Sequence, residues 1–265
     1  MKLLYIGDVM GSIGCEILAN HLPEIKSEFK PDIILAQAEN VTDGKGMSIA
    51  DYHQLKDLGI DGFMSGNHMF VQEDLIEALQ DPNQPVTRPA NFPKGTPGQE
   101  YKILKTAFGD VLLISLMGQI VGKDADKPMD NPLHKVDKII VDNKSDVVAT
   151  IVNFHGDYSS EKVVIGHYLD GRVAAVIGDH WHVPTADARV LPKGTAHISD
   201  VGMVGTLNSS LGIDLETIIT RWHSGKPSRN SLSQEPPFQF CAVLVDIDES
   251  KGTARSIEQI YRLYS

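Results

Sequence analysis

Short, largely apolar segments that each stop at polar residues recur along this chain and constrain its fold most strongly. The first three are followed by longer segments in which apolar residues recur at helical spacing. A buried strand, a polar loop and a helix in repeated succession predict β-loop-α units and therefore an α/β fold. The apolar segments are residues 2–6, 33–36 and 62–64, and they stop at Asp8, Glu39-Asn40 and Asn67-His68.

The remainder of the chain continues this pattern without an internal repeat or a clean linker, so we expect a single domain over residues 1–265. Residues 81–132 are largely irregular and rich in Pro, Gly and Asn, which indicates an excursion that can form a small lid. A final strand pair is expected to close a sheet edge. The predicted helices cover residues 13–29, 48 onwards, 72–79 and 133–141, and the further strands cover 111–116, 147–154, 173–177, 196–198, 241–247 and 254–261.

The formal charge of −11 argues against binding of extended duplex nucleic acid, because such binding needs clustered Lys and Arg. A small phosphate ligand remains compatible with it. No run approaches the roughly 18 apolar residues of a membrane span, and the N-terminal apolar segment is too short for a signal-peptide core. We therefore expect a cytoplasmic protein with no membrane partner. Cys15 and Cys241 have no second Cys at a metal or redox spacing and are expected to be free thiols.

Polar side chains at five predicted strand ends form a set of oxygen and imidazole groups. Loops at the carboxyl ends of strands converge in an open α/β sheet, so these side chains should lie together. Carboxylate, amide and imidazole groups suit Mn²⁺, Fe²⁺ or Zn²⁺. The set contains more candidate ligands than one ion can coordinate, and a carboxylate can bridge two ions. The sequence therefore predicts a two-metal site of the kind that catalyses phosphoryl transfer. Its members are Asp8, Glu39, Asn40, Asn67, His68, His155, His180 and His182.

Each of these residues, taken alone, has an ordinary structural explanation. Asp8 after a first strand is often a helix cap or turn residue, and His155 alone is more often a hydrogen-bonded core histidine. The glycines of residues 7–14 lack the G-x-G-x-x-G spacing of a dinucleotide site. Asp187 and Asp200 follow the last histidine pair and are candidates for orienting a ligand. The other histidines are expected to be structural, namely His21, His53, His134, His167, His197 and His223.

Two glycine-bearing motifs, Gly66-Asn67-His68 and Gly178-Asp179-His180-Trp181-His182, resemble the ligand motifs of the calcineurin-like metallophosphoesterase superfamily. More closely, the chain is similar to the bacterial YmdB-like branch, in order over nearly its whole length. The other matching segments are Ile6-Gly7-Asp8, Ala38-Glu39-Asn40, Arg88-Pro89-Ala90-Asn91-Phe92-Pro93, Phe154-His155, Ser160-Glu161-Lys162, Leu169-Asp170-Gly171-Arg172-Val173 and Ser199-Asp200-Val201-Gly202-Met203.

The resemblance implies an α/β sandwich of β-sheets flanked by helices, with two divalent metal ions, Fe or Mn, and Zn or Mg as alternatives. The implied activity is hydrolysis of a cyclic nucleotide, such as 2′,3′-cyclic AMP, by a hydroxide that the two metals activate. Glu39 would bridge the ions and His68 would be the general acid. We also expect a homo-oligomer. The implied metal ligands are Asp8, Glu39, Asn40, Asn67, His155, His180 and His182.

Departures from the family pattern around these ligands leave the substrate preference open. Two other functions also stay open. One is a regulatory protein that holds metals and a nucleotide or RNA end with little turnover, and the other is a different phosphoesterase, such as a phosphomonoesterase. Arg88 and Asn91 either contact the substrate or form a structural turn. Two departures from the superfamily lie in the ligand motifs: Asp8-Val9-Met10 replaces D-x-H, and Glu39-Asn40 replaces the usual second aspartate motif, as in the YmdB-like branch. The others are Asn153 and Gly156-Asp157, in place of Asp and Ala-Glu, and Asp179 and Trp181, in place of threonines.

Overall fold

Two β-sheets pack face to face in the computed structural model, which describes residues 1–122, 125–143 and 145–265. Each sheet contains three neighbouring parallel strands, because the apolar segments that form them are separated by helices along the chain. The strands are β1 (Lys2–Ile6), β2 (Asp8–Val9), β3 (Ile33–Gln37), β4 (Gly62–Met64), β5 (Lys102–Thr106), β6 (Gly109–Met117), β7 (Ala149–His155), β8 (Ala175–Asp179), β9 (Arg189–Val190), β10 (Ala196–Ile198), β11 (Met203–Thr206), β12 (Phe238–Asp248) and β13 (Thr253–Tyr264).

The order of the strands brings the carboxyl ends of the two sheets to the same region. The first sheet runs β2-β11-β12-β1-β3-β4, with β13 paired to β12, and the second runs β5-β6-β7-β8-β10-β9. In the first sheet β1, β3 and β4 are parallel, and in the second β6, β7 and β8 are parallel. Each sheet therefore presents its strand-end loops along one edge.

Helices cover the outer faces of both sheets. Ser48 caps one of them, since its Oγ accepts a hydrogen bond from the Asp51 amide at 3.1 Å. Among the described residues, no helix has the length and apolar character needed to cross a bilayer. The helices are α1 (Gly11–Phe29), α2 (Ile49–Asp57), α3 (Ile76–Gln80), which continues a 3₁₀ turn over Glu73–Leu75, α4 (Pro132–Asn143), α5 (Ser159–Tyr168) and α6 (Leu215–Ser224).

Three apolar clusters make up the core. One lies between the sheets and contains residues such as Leu3, Leu35 and Ile151. The second packs α1 and α2 on the outer face of the first sheet, and the third packs α4 and α5 on the second sheet. Because both faces of the central strands are buried, their sequences are continuous apolar runs and not alternating ones.

The predicted α/β sandwich of sheets flanked by helices is confirmed. The strands predicted over residues 2–6, 62–64 and 196–198 coincide with β1, β4 and β10, and the last strand pair is the hairpin of β12 and β13. The prediction missed α5, α6 and short strands such as β2 and β9. In α5 three apolar residues stand side by side, which gives no one-sided apolar face. The sequence of α6 is amphipathic, but the helix buries none of its residues.

Both cysteines are buried free thiols, and we predict that native protein resists thiol reagents. Burial raises the pKa of the Cys15 thiol and of the Cys241 thiol to about 12 each, so little thiolate forms near pH 8. Without any reductant, denaturant should expose both thiols to a chromogenic disulfide reagent, whereas the native protein should react slowly. Fewer than the 2 thiols of the sequence in denatured protein would contradict the free state.

Candidate metal centre

The predicted ligands come from strand ends of both sheets, at the edge where their loops meet. Asp8 is the first residue of β2, two positions after the end of β1, Glu39 and Asn40 follow β3, and Asn67 and His68 follow β4. The second sheet supplies His155 as the last residue of β7, and His180 and His182 directly after β8. Short contacts join all of these residues into one network, which has two parts.

The Asp8 cluster consists of Asp8, Asn40 and His182. Asn40 Nδ2 donates to Asp8 Oδ1 at 3.1 Å and lies 3.2 Å from His182 Nε2. His182 Nε2 lies 3.5 Å from Asp8 Oδ1, while Nδ1 is 3.1 Å from the carbonyl oxygen of Leu211. A proton on Nδ1, donated to that carbonyl, leaves Nε2 facing the carboxylate with a free lone pair.

The Glu39 cluster consists of Glu39, Asn67, His155 and His180. His155 Nε2 lies 3.1 Å from Glu39 Oε1 and 3.0 Å from Asn67 Oδ1. The ring of His180 meets the ring of His155 edge-on, with centroids 4.4 Å apart. Ligand atoms of Glu39, His155 and His180 all lie within 4.8 Å of one another. Three groups at this spacing can bind one cation.

His68 connects the two clusters. Its Nδ1 lies 2.9 Å from Asn40 Oδ1, and its backbone amide donates to Glu39 Oε2 at 3.0 Å. The His68 side chain keeps 23% of its surface exposed, whereas Glu39 has none. The His68 side chain is therefore partly accessible from solvent, so an incoming molecule can contact it.

A buried oxygen without a partner shows that these residues suit divalent cations. Glu39 Oε1 accepts no well-aligned hydrogen bond from the described residues; its contacts with His155 Nε2 at 3.1 Å and His68 Nδ1 at 3.3 Å are those of ion pairs. A buried carboxylate oxygen left in this way costs free energy unless a cation or other donor compensates it. The surrounding oxygen and imidazole donors are those that Fe²⁺, Mn²⁺ and Zn²⁺ accept.

The electrostatics of the Glu39 cluster favour the metal-binding forms of Glu39 and His180. Burial opposes protonation of His155, but Glu39 and Asp179 hold the pKa of that imidazole well above its usual range, so His155 would release a proton when a cation binds. Burial opposes ionisation of Glu39, but His155 and His68 hold the pKa of that carboxyl well below its usual range. Burial first, and then the charge of His155, lower the pKa of His180 to about 4. Near neutral pH, Glu39 is a carboxylate and His180 is a neutral imidazole, which are the states that metal binding requires.

The loop that carries the last two histidines has a strained backbone. His180 has φ of 99° and His182 has φ of 61°, values that residues with a side chain adopt rarely. Such conformations cost about 1–3 kcal/mol each and persist where the surroundings fix them. Here Asp200 Oδ2 accepts from the Trp181 amide at 2.8 Å, and Asp8 Oδ2 accepts from the His180 amide at 3.3 Å.

Lys162 and Asp200 form a buried ion pair beneath this loop. Lys162 Nζ donates to Asp200 Oδ2 at 2.8 Å and also to the backbone carbonyl of Asp179. The same nitrogen lies 4.1 Å from the centroid of the Trp181 ring. Lys162 and Asp200 have no exposed side-chain surface, and burial raises the pKa of the Asp200 carboxyl to about 6. Asp200 thus holds the loop, while Asp187 bonds instead to Thr185 and Ser199.

Several polar residues around the site were not selected from the sequence. Asp179, Gln37, Asn153 and Tyr5 form a buried network next to His155. Asp157 Oδ1 lies 3.2 Å from His180 Nε2. Gln37 and Asn153 could have been found from the sequence, because each is a polar residue in an otherwise apolar strand. Each also stands two positions before a candidate ligand, Glu39 or His155, and so points to the same face of its strand.

Arg88 and Asn91 are structural, which decides between the two explanations of their motif. Arg88 is buried and donates to the carbonyls of Pro89 and Gly98. Asn91 is also buried, and its side chain donates to the carbonyl of Met117 and accepts from the same residue's amide. The hydrogen bonds of both side chains therefore go to backbone groups, and those of Asn91 join the excursion to the second sheet.

Comparisons with known proteins cover nearly the whole chain. Residues 4–260 match the sequence profile of a family described as YmdB-like protein. A Bacillus subtilis (strain 168) protein named 2′,3′-cyclic-nucleotide 2′-phosphodiesterase is 38% identical over 261 residues, which are 98% of this chain and 96% of that protein.

Solved structures show the same fold. A Mycoplasma pneumoniae protein titled a novel phosphatase has a TM-score of 0.91 at 30% identity and covers 99% of this chain and 93% of its own. A 5′-nucleotidase from Candida albicans SC5314 has a TM-score of 0.56 at 11% identity, over 100% of this chain and 51% of its own. At that identity the second likeness concerns the fold alone.

We predict that Gly66→Ala damages the metal centre without unfolding the protein. A Cβ at this position would overlap Glu39 Oε2 and the ring of His155, and overpacking of this kind costs about 1–3 kcal/mol. Elemental analysis should show less bound metal per chain than in wild type. Gly95→Ala is the control for a loss of stability away from the site, because a Cβ there meets no atom within 4 Å but the φ of +92° strains any side chain, at a cost of about 1–3 kcal/mol. Wild-type metal content in Gly66→Ala would contradict the crowding argument.

Proposed function

The chain belongs to the YmdB-like protein family and is a hydrolytic phosphoesterase, and we propose that it is a metal-dependent phosphodiesterase acting on a cyclic nucleotide of the 2′,3′-cyclic AMP kind. The observation that carries the proposal is the pair of joined clusters with a buried, unpartnered Glu39 Oε1. The relative named as a 2′,3′-cyclic-nucleotide 2′-phosphodiesterase supports the substrate class.

Two divalent cations would be held by the two clusters. The Asp8 cluster would hold one ion through Asp8, Asn40 and His182. The Glu39 cluster would hold the other through Asn67, His155 and His180, with Glu39 shared between the ions. Iron or manganese suits this donor set, with zinc or magnesium as alternatives. When bound, the ions would lower the pKa of a water molecule and offset the negative charge of a phosphodiester.

His68 would act as the general acid that protonates the leaving oxygen. It contacts Asn40 Oδ1 and Glu39 yet remains partly exposed, so a substrate oxygen can approach the ring. The backbone bond to Glu39 Oε2 fixes the position of His68 relative to the cluster. A positioned acid of this kind typically contributes about 10²–10⁴ in rate.

We predict that wild-type protein with Mn²⁺ hydrolyses 2′,3′-cyclic AMP to a nucleoside monophosphate. Dialysis against a chelator should abolish turnover, and Mn²⁺ should restore it, because the buried carboxylate requires a cation. Phosphomonoesters assayed in parallel test the alternative that the name of the Mycoplasma relative suggests. Binding of the cyclic nucleotide without product would indicate the regulatory alternative, and faster turnover of the monoesters would indicate the phosphomonoesterase.

We predict that His68→Ala keeps its metals but lowers kcat on 2′,3′-cyclic AMP by about 10²–10⁴. A nitrophenyl phosphodiester leaves as a stabilised anion and needs little protonation, so the variant should lose much less on that substrate. Steady-state kinetics on both substrates, with metal analysis of the same samples, give the comparison. Loss of metal would make His68 a ligand, and equal losses on both substrates would mean that it positions the phosphate.

Other expectations drawn from the sequence stay predictions. These are the single domain over residues 1–265, the lid formed by residues 81–132, the cytoplasmic location, the homo-oligomer, and the absence of an extended duplex nucleic acid or a membrane as partner.

A further inference from the structure

A buried carboxylate next to the Glu39 cluster has no role in the function proposed so far. Asp179 is the last residue of β8 and pairs in register with His155, the last residue of β7. Both are fully buried. Asp179 Oδ1 lies 2.6 Å from His155 Nδ1, on the side of the ring opposite to the nitrogen that faces Glu39.

The second oxygen of Asp179 is held by donors from both sheets. Asp179 Oδ2 accepts from the hydroxyl of Tyr5 at 2.9 Å and from Gln37 Nε2 at 2.9 Å, and it also accepts from Asn153 Nδ2. Tyr5 and Gln37 belong to the first sheet, and Asn153 belongs to the second. The carboxylate therefore cannot rotate without breaking bonds that join the two sheets.

We propose that Asp179 is a positioning residue for the metal centre, which keeps a proton on His155 Nδ1 and so directs Nε2 to Glu39 and Asn67. This inference rests on the proposed function, because His155 is taken as a metal ligand. A histidine ligand binds through one nitrogen and donates from the other, and the acceptor fixes its tautomer and ring orientation. His155 Nε2, 3.1 Å from Glu39 Oε1 and 3.0 Å from Asn67 Oδ1, has the required direction.

The neighbours of Asp179 show why the position needs a carboxylate. Gln37 Oε1 accepts from the Glu39 amide at 3.3 Å, which turns Gln37 Nε2 toward Asp179. An amide at position 179 would place its own NH₂ group against the donors of Gln37 and Asn153, or else turn that group toward His155 Nδ1. In either orientation a buried donor loses its acceptor. Only a group with two acceptor oxygens satisfies His155 and the donors together.

The test compares Asp179→Asn with Tyr5→Phe. Both substitutions disturb the same buried network and should lower the melting temperature, but Tyr5→Phe leaves the bond between Asp179 Oδ1 and His155 in place. Free Mn²⁺, measured by its paramagnetic resonance signal during titration, gives the affinity of each protein. Asp179→Asn should weaken Mn²⁺ binding by about 10–100-fold, and Tyr5→Phe should show a much smaller change. A strongly deshielded imidazole proton in metal-free wild type should persist in Tyr5→Phe and disappear in Asp179→Asn.

Three outcomes would overturn the inference. Wild-type Mn²⁺ affinity in Asp179→Asn, with wild-type protein binding normally, would refute it and leave the proposed function intact. An equal loss of affinity in Tyr5→Phe would assign Asp179 a purely structural role. Wild-type protein that binds no Mn²⁺ and hydrolyses no phosphodiester would overturn the proposed function and the inference with it.

Discussion

The fold brings buried carboxylates together where the two sheets end, and the rest of the site follows from how their charge is compensated. Asp8, Glu39 and Asp179 have no exposed surface. Taking a carboxylate out of water costs several kcal/mol even after relaxation, unless charges or donors replace the water. Asp179 receives enough donors from the protein, namely His155, Tyr5, Gln37 and Asn153. Glu39 does not, because one of its oxygens has no partner among the described residues.

This difference is the one expected between a structural carboxylate and a metal ligand. A satisfied carboxylate orders its neighbours, whereas an unsatisfied one beside neutral imidazole favours a cation. The strained loop of His180 and His182 fits the same logic, since its unfavourable φ values are fixed by Asp8 and Asp200 and by the buried partner Lys162. The stability of the sandwich thus maintains a site geometry that an isolated loop would not adopt.

Much of the site could be predicted from the sequence because polar residues directly after a buried strand are conspicuous. Asp8 after β1 and Glu39 after β3 are examples, and the parallel order of the strands brings them together. Asp179 could not be selected in the same way, because two of its donors, Tyr5 and Gln37, belong to the opposite sheet. Sheet-to-sheet contacts depend on packing between distant segments, which periodicity along the chain does not encode. The same limit applies to α6, whose position no buried face determines.

Four of the positions at which the sequence departs from the pattern expected from the resemblance contact one another in pairs. Asn153, which stands where an Asp was expected, donates a hydrogen bond to Asp179, which stands where a threonine was expected. Trp181 Nε1 donates to the backbone carbonyl of Asp157 at 3.1 Å, which joins the other two departures. Exchanges that contact each other can keep the local charge and hydrogen bonding while single ones would not. A substitution at one of these positions is therefore expected to affect its contact partner, and both pairs lie next to the candidate ligands His155 and His180.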